Sequence, residues 1–217
     1  MKSFILFTIL VLTSISASAS TLYRVTQLRA APGNFSDLIE EVKKYKNKKN
    51  DQVSVMRHSQ GDHWDLMLLE PAGDNPTKMH DFSLHADFQQ SFLAKSDTEW
   101  KEIKHQTDSN TTYHIEIFHA VHGKVEELLN ERRMENTYLA ATQQTTNVIF
   151  ETTFGSDIDS FTIGYHKDLS AFATTPNLPK ATFEKAAIDA GFKNRADLSF
   201  YLRSLILKHQ DTLATPL

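Results

Sequence analysis

The chain has 217 residues, 40% of them hydrophobic, with a formal net charge of -4, ten histidines and no cysteine. Mild acidity without a basic face argues against a nucleic-acid partner. The lack of cysteine excludes disulfides, thiolate nucleophiles and thiolate metal ligands, so stability has to come from a packed core.

The sequence opens MKSFILFTILVLTSISASAS, in which Lys2 precedes an apolar run from Phe4 to Leu12. Ala17-Ser18-Ala19 stands where signal peptidase cuts, so residues 1–19 read as a removed signal peptide. An uncleaved anchor fits less well, because Thr13, Ser14 and Ser16 interrupt the run before it reaches a bilayer span. A periplasmic or secreted protein is expected. No later stretch approaches the roughly 20 apolar residues of a membrane helix, so stable membrane insertion is not expected after cleavage.

Leu22 to Arg29 has strand-like content, the turn APGN follows, and Phe35, Leu38, Ile39 and Val42 then recur at helical spacing. The lysines of KKYKNKKN, Lys43 to Asn50, read as the solvated end of that helix. Val53 to His58 and Trp64 to Leu69 flank Ser59-Gln60-Gly61-Asp62, which predicts a hairpin. A helix is expected from Met79 to about Lys95.

The same order then recurs. Sliding the sequence against itself so that Tyr23 meets Tyr113 also puts Val25 on Ile115, Leu28 on Phe118, Ala30 on Ala120, Gly33 on Gly123 and Leu38 on Leu128. Register held across strand, turn and helix start marks an internal repeat. The second copy continues with the hairpin NVIFETTFGSDIDSFTIGYH and with helices at Thr182–Ala190 and Ala196–His209, where Gly191 reads as a C-cap and Asn194 as an N-cap. His209 is thereby expected on the last helix.

Each copy reads β-α-β-β-α with room for a last strand, a ferredoxin-like order of the α+β class. Two such units, residues 20–111 and 112–217, are expected to pack sheet to sheet as an intrachain pseudo-dimer, with a helical C-terminal extension. One chain then supplies both halves, so a monomer is expected. The paired units, with RAAPGNFSDLIEEV and HAVHGKVEELLNER as their strand-to-helix segments, resemble the dimeric α+β barrel superfamily. Within it they are most similar to the antibiotic-biosynthesis-monooxygenase-like and NIPSNAP-like domains. That resemblance implies a tandem fused copy and a range of activities: cofactor-independent oxygenases, haem-degrading enzymes, haem peroxidase relatives and proteins with no known activity. Fold alone does not choose among them.

The copies differ in ways that nominate a site. Alternation on the first strand of the second copy assigns Tyr113, Ile115 and Ile117 to the helix side, and His114, Glu116 and Phe118 to the space between the sheets, with Arg24 as the first-copy counterpart of His114. A His and a Glu two apart on a strand can act as base and orienter or as two metal ligands, though two residues do not make a metal site. The bland alternative is an ordinary charged face open to solvent at a barrel end. On the following helix, Val125, Leu128, Leu129, Arg132 and Asn136 share one face, so Arg132 stands where the first copy has Val42. Arg132 either pairs with Glu135 or Glu151, or joins Asn136 in holding an anionic or carbonyl-bearing ligand. His166 shares its facing with Gly164, where a ligand can approach closely.

The expected catalytic set is therefore His114 as general base, Glu116 as its orienter, and Arg132 or Arg24 on developing negative charge. The expected ligand contacts are Arg24, Phe118, Asn136 and His166, around a small acidic or aromatic compound. A non-catalytic module for haem or a hydrophobic metabolite is the alternative, and the histidine count leaves haem open as a cofactor. The G-x-S-x-G elbow, P-loop, G-x-G-x-x-G, H-E-x-x-H and EF-hand patterns are all missing.

Overall fold

A computed structural model describes residues 20–50, 52–73 and 79–217, so the leader read at 1–19 lies outside the described residues. The elements run β1 (Thr21–Ala30), α1 (Phe35–Lys48), β2 (Ser54–Gln60), β3 (Leu66–Pro71), β4 (Ala86–Ser96), α2 (Trp100–Ser109), β5 (Thr112–Ala120) and α3 (Val125–Ala141). They continue with β6 (Asn147–Phe154), β7 (Ser160–His166), α4 (Leu169–Ala173), α5 (Lys180–Asp189), α6 (Asp197–Leu205) and β8 (Ile206–Pro216).

The strands close into a barrel in the order β1-β3-β2-β8-β5-β7-β6-β4, and every neighbouring pair is antiparallel. The strands of residues 21–96 thus lie as β4-β1-β3-β2, those of 112–216 as β8-β5-β7-β6, and β2–β8 and β4–β6 join the two runs. Closure leaves no sheet edge to be covered. The turns after β1 and β5 both use a glycine in the left-handed region, Gly33 at φ 85° and Gly123 at φ 77°.

Two expected helices differ. The segment from Met79 to Lys95 is mostly strand: β4 pairs with β1 from Thr21↔Ser96 to Ala30↔Ala86. Phe88 and Phe92 are spaced as on a helix face, but the open edge of β1 offers a full ladder of backbone partners, and Phe92, Ala94 and Ser96 alternate into the interior. The last helix stops at Leu205, and β8 carries the chain back between β5 and β2. The chain therefore ends in a strand that closes the barrel, not in a helical extension, and His209 is a strand residue. Gly191, at φ 105°, ends α5 directly after the C-cap Ala190, whereas α6 is entered at Ala196 without a side-chain cap: Asn194 lies in the preceding turn, where its side chain accepts the Asp197 amide at 3.0 Å.

The interior is lined mainly by apolar side chains, with the polar Gln27 and Thr212 buried among them. Tyr23, Val25, Met67, Leu69, Phe92, Tyr113, Ile115, Ile117, Phe150, Phe161, Ile163 and Tyr165 form one buried cluster, with Phe150 and Phe161 stacked at 4.4 Å between centroids. The outer faces pack under helices, Leu28 with Leu38 and Val42 of α1, and Phe118 with Leu128 of α3 and Leu205 of α6. The facing expected for β1 and β5 is thereby reversed. Tyr113, Ile115 and Ile117 enter the barrel, while Arg24, His114, Glu116 and Phe118 lie on the outer face. Both faces of a barrel strand are covered, and the one that no water reaches takes the more apolar set.

Candidate functional site

The outer face of β5 presents His114, Glu116 and Phe118 toward α3 and the short helix α4. Antiparallel pairing sets Asp211 of β8 beside Glu116, and Thr162 and Gly164 of β7 beside Glu116 and His114. Strong helix formers build α3, with Glu126 and Glu127 at its positive end, and Gln143 at φ 60° ends it. Asp168 caps α4 by accepting the Ala171 amide at 2.8 Å, which aims Phe172 at the rings of His114 (5.1 Å) and His166 (5.2 Å).

Arg132 is only 2% exposed, yet it sits among three carboxylates. It donates to Glu131 at 2.6 Å and to Glu135 at 2.8 Å, lies 3.7 Å from Glu116, and covers the Phe118 ring at 5.0 Å. Of the two pairings expected for it, Glu135 is the one made, since Glu151 pairs with Lys95 at 3.1 Å. Burial pushes the Glu131 carboxyl up to about 7, with Arg132 opposing the rise and Glu135 adding to it. Burial also raises Glu135, again against Arg132. Desolvation disfavours charge on His114, but the hydrogen bond to Asp211 at 3.2 Å and the charges of Glu116, Asp211 and Glu135 together raise it. Asp211 is lowered, first by that hydrogen bond, and His166 is lowered by burial and by His114.

A cleft of about 420 Å³ opens beside this cluster, with His114, Glu116, Glu135, Asn147, His166 and Phe172 in its wall. A second depression of about 430 Å³ lies across His114 and Phe172 and reaches Gly61 and Asp211. Gly164 lies beneath two of the wall residues: a Cβ there would stand 2.6 Å from Asn147 Oδ1 and 3.0 Å from His166 Nε2.

Of the expected residues, His114, Glu116, Phe118, Arg132 and His166 therefore gather in one place. Asn136 is adjacent, but its side-chain amide donates to the carbonyl of Asn147 at 2.7 Å and accepts the Asn147 amide at 2.8 Å, fastening α3 to β6. Arg24 lies in the other half. There Glu70 accepts from Arg24 at 3.4 Å and Tyr45 at 2.8 Å and pairs with Lys49 at 3.0 Å, a compact network in which donors outnumber the carboxylate. Sequence reasoning missed Glu131, Asp211 and Phe172, and offered Glu135 only as a partner for Arg132. The signal for Glu131 and Glu135 was present in E-R-R-M-E, acids one before and three after an arginine on a packed face; Asp211 and Phe172 join only through tertiary pairing.

Haem does not fit this cleft. A macrocycle with two propionates needs cationic partners, whereas among the described residues no Lys or Arg lines this wall, which sets Glu116 and Glu135 beside its apolar residues Leu139 and Phe172.

No family model matches the chain, and no curated protein matches its sequence. Solved structures do resemble it. An anthrone oxidase-like protein is 12% identical with a TM-score of 0.56, the match covering 91% of each chain. A candidate monooxygenase from Fusobacterium nucleatum subsp. nucleatum is 12% identical with a TM-score of 0.56, over 92% of this chain and 93% of the other. A mutant chlorite dismutase from Candidatus Nitrospira defluvii is 14% identical with a TM-score of 0.51, over 92% of each. The chain has the dimeric α+β barrel fold that these proteins share.

Proposed function

We propose that this is an exported, monomeric small-molecule-binding protein of the oxygenase-like kind, a tandem fusion whose two ferredoxin-like halves form an intrachain pseudo-dimer. Export rests on the leader and monomerism on the sheet edges closed within one chain. The ligand occupies the cleft on the outer face of the second half, against Phe172 and His166, because the barrel interior is packed with side chains; Phe118, expected as a ligand contact, is fully buried under Arg132 and does not line the cleft. The observation that carries the reading is His114 set between Asp211 and the carboxylates of Glu116 and Glu135 at the edge of that cleft.

This arrangement suits proton abstraction from a weakly acidic, aromatic compound such as a phenol or an activated methylene. The surrounding carboxylates favour the protonated form of His114, the form that donates toward developing negative charge. Glu135, raised by burial and by the like charge of Glu116 and facing the cleft, is then the group placed to accept a proton, with Arg132 holding it in position. Arg132 acts through Glu135, since its donors are directed at carboxylates.

The test is oxygen uptake by the purified protein over a panel of phenols and 1,3-dicarbonyl aromatics. Turnover that falls about 100-fold or more in Glu135→Gln, while ligand binding persists, is the expected result. Binding without turnover in any member would leave a carrier, and full turnover in both Glu135→Gln and His114→Ala would remove the assigned site.

A further inference from the structure

We propose that His114, Glu116 and Asp211 form a binding site for one divalent transition-metal cation of the zinc, manganese or iron(II) class. One ligand atom from each of the three lies within 4.8 Å of the others. The closeness follows from the sheet. His114 and Glu116 are two apart on β5 and so share its outer face, and Asp211 is the cross-strand partner of Glu116 on β8. Three donors are thus carried by two adjacent strands locked by backbone hydrogen bonds, which places them more firmly than loop residues could be placed.

The donor set is one imidazole nitrogen and two carboxylate oxygens. That mixture suits borderline and harder divalent cations, and three protein ligands leave positions open for water or a bound compound, as in catalytic sites. Supporting contacts orient two of the ligands while leaving donor capacity free. Glu116 accepts from Thr162 at 3.2 Å, and Asp211 pairs with His209 at 3.0 Å through its second oxygen. The third feature is access: His114 borders both depressions, so a cation bound there has open space on either side, one side being the cleft proposed for the small molecule. Glu131 and Glu135 bring two further carboxylates close by; Arg132 is held by those two at hydrogen-bond distance and stays 3.7 Å from Glu116, so Glu116 keeps acceptor capacity for a cation. The first half has no such arrangement at the matching place, where Arg24 stands for His114.

This inference does not rest on the oxygenase-like reading. A bound cation would take the electrophilic role given above to His114 and leave Glu135 as proton acceptor, so turnover is not the readout. The test is titration of tag-free, chelator-treated residues 20–217 with Zn²⁺ by calorimetry and with Co²⁺ by visible absorption, at pH 7.5. One equivalent is expected to bind saturably with an open-site Co²⁺ spectrum, and the affinity is expected to fall at least tenfold in His114→Ala and in Asp211→Asn. The side chain of Asp211 is half exposed, so Asp211→Asn keeps the fold even if His114→Ala does not. The double variant His63→Ala/His80→Ala, which removes two exposed imidazoles paired with acids elsewhere, is expected to bind as the parent does. Absence of saturable binding, binding that survives Asp211→Asn unchanged, or binding lost in the His63/His80 variant would each overturn the proposal.

Discussion

The guanidinium of Arg132 lies 5.0 Å from the ring centre of Phe118, buried between α3 and β5. From there it holds Glu131 and Glu135, so one buried cation compensates two buried acids. Arg132→Met should keep the packing volume but leave both acids uncompensated. A loss of about 3–5 kcal/mol is expected in urea unfolding at pH 8, shrinking at pH 5, where the acids can be neutral. A loss below about 1 kcal/mol at pH 8 would show that the acids are compensated by something else.

Glu131 gives a pH dependence whose sign can be worked out. Its folded carboxyl, at about 7, lies above the ordinary value of 4.5, so the folded state binds the proton more tightly than the unfolded state. The resulting stability is complete below pH 4.5 and is lost as pH rises through 7, on the order of 3 kcal/mol in all. His114, also raised, is expected to add to the same fall above its ordinary value of 6.5. Asp211, lowered by its partner, works in the opposite sense, its contribution disappearing as pH falls below 3.8. Thermal melts of the parent between pH 5 and 8 should decline, and Glu131→Gln should flatten that decline by more than half.

Gly164 is open to a sharper test than stability. An added Cβ would meet the side chains of Asn147 and His166, which can swing aside, so Gly164→Ala should cost no more than about 1 kcal/mol. Swinging His166 outward relieves the burial that holds its imidazole below the ordinary range. Its NMR titration midpoint should therefore rise toward 6.5, while the midpoint in the parent stays lower.

Gly61 offers the contrast. It has φ 120°, and a Cβ would stand 1.9 Å from the carbonyl oxygen of Asp211, a backbone atom that cannot swing away. Gly61→Ala should force β2 and β8 apart at the seam between the two halves, at a cost of about 3 kcal/mol or more. Hydrogen exchange at the β8 amides is the measurement to make, and unchanged protection there would contradict the account.

Much of the architecture was legible along the chain. The strand-turn-helix order emerged twice, around Gly33 and around Gly123, the hairpins from their glycine turns, and the polar break in α3 from Arg132 on a face shared with Val125, Leu128 and Leu129. These are local properties: period, turn chemistry and composition act within a few residues and survive into the folded state. Two segments misled for the opposite reason. The spacing of Phe88 and Phe92 suits a helix, and the apolar stripe of α6 runs on toward His209, but both segments lie against a strand edge that would otherwise be open. Edge pairing outweighed local periodicity there, as nonlocal hydrogen bonding can.

The sequence by itself determined that β5 has two chemically distinct faces, Tyr113, Ile115 and Ile117 on one and His114, Glu116 and Phe118 on the other. Which face looks inward was decided only by closure of the barrel. Alternation separates the faces without naming their neighbours, and here both are covered, one by the opposite strands and one by helices. Desolvation then sorts them. The sealed interior tolerates almost no charge, while the layer under α3 opens at the cleft, where His114, Glu116 and Glu135 reach water and Asp211 arrives from a strand 95 residues further along.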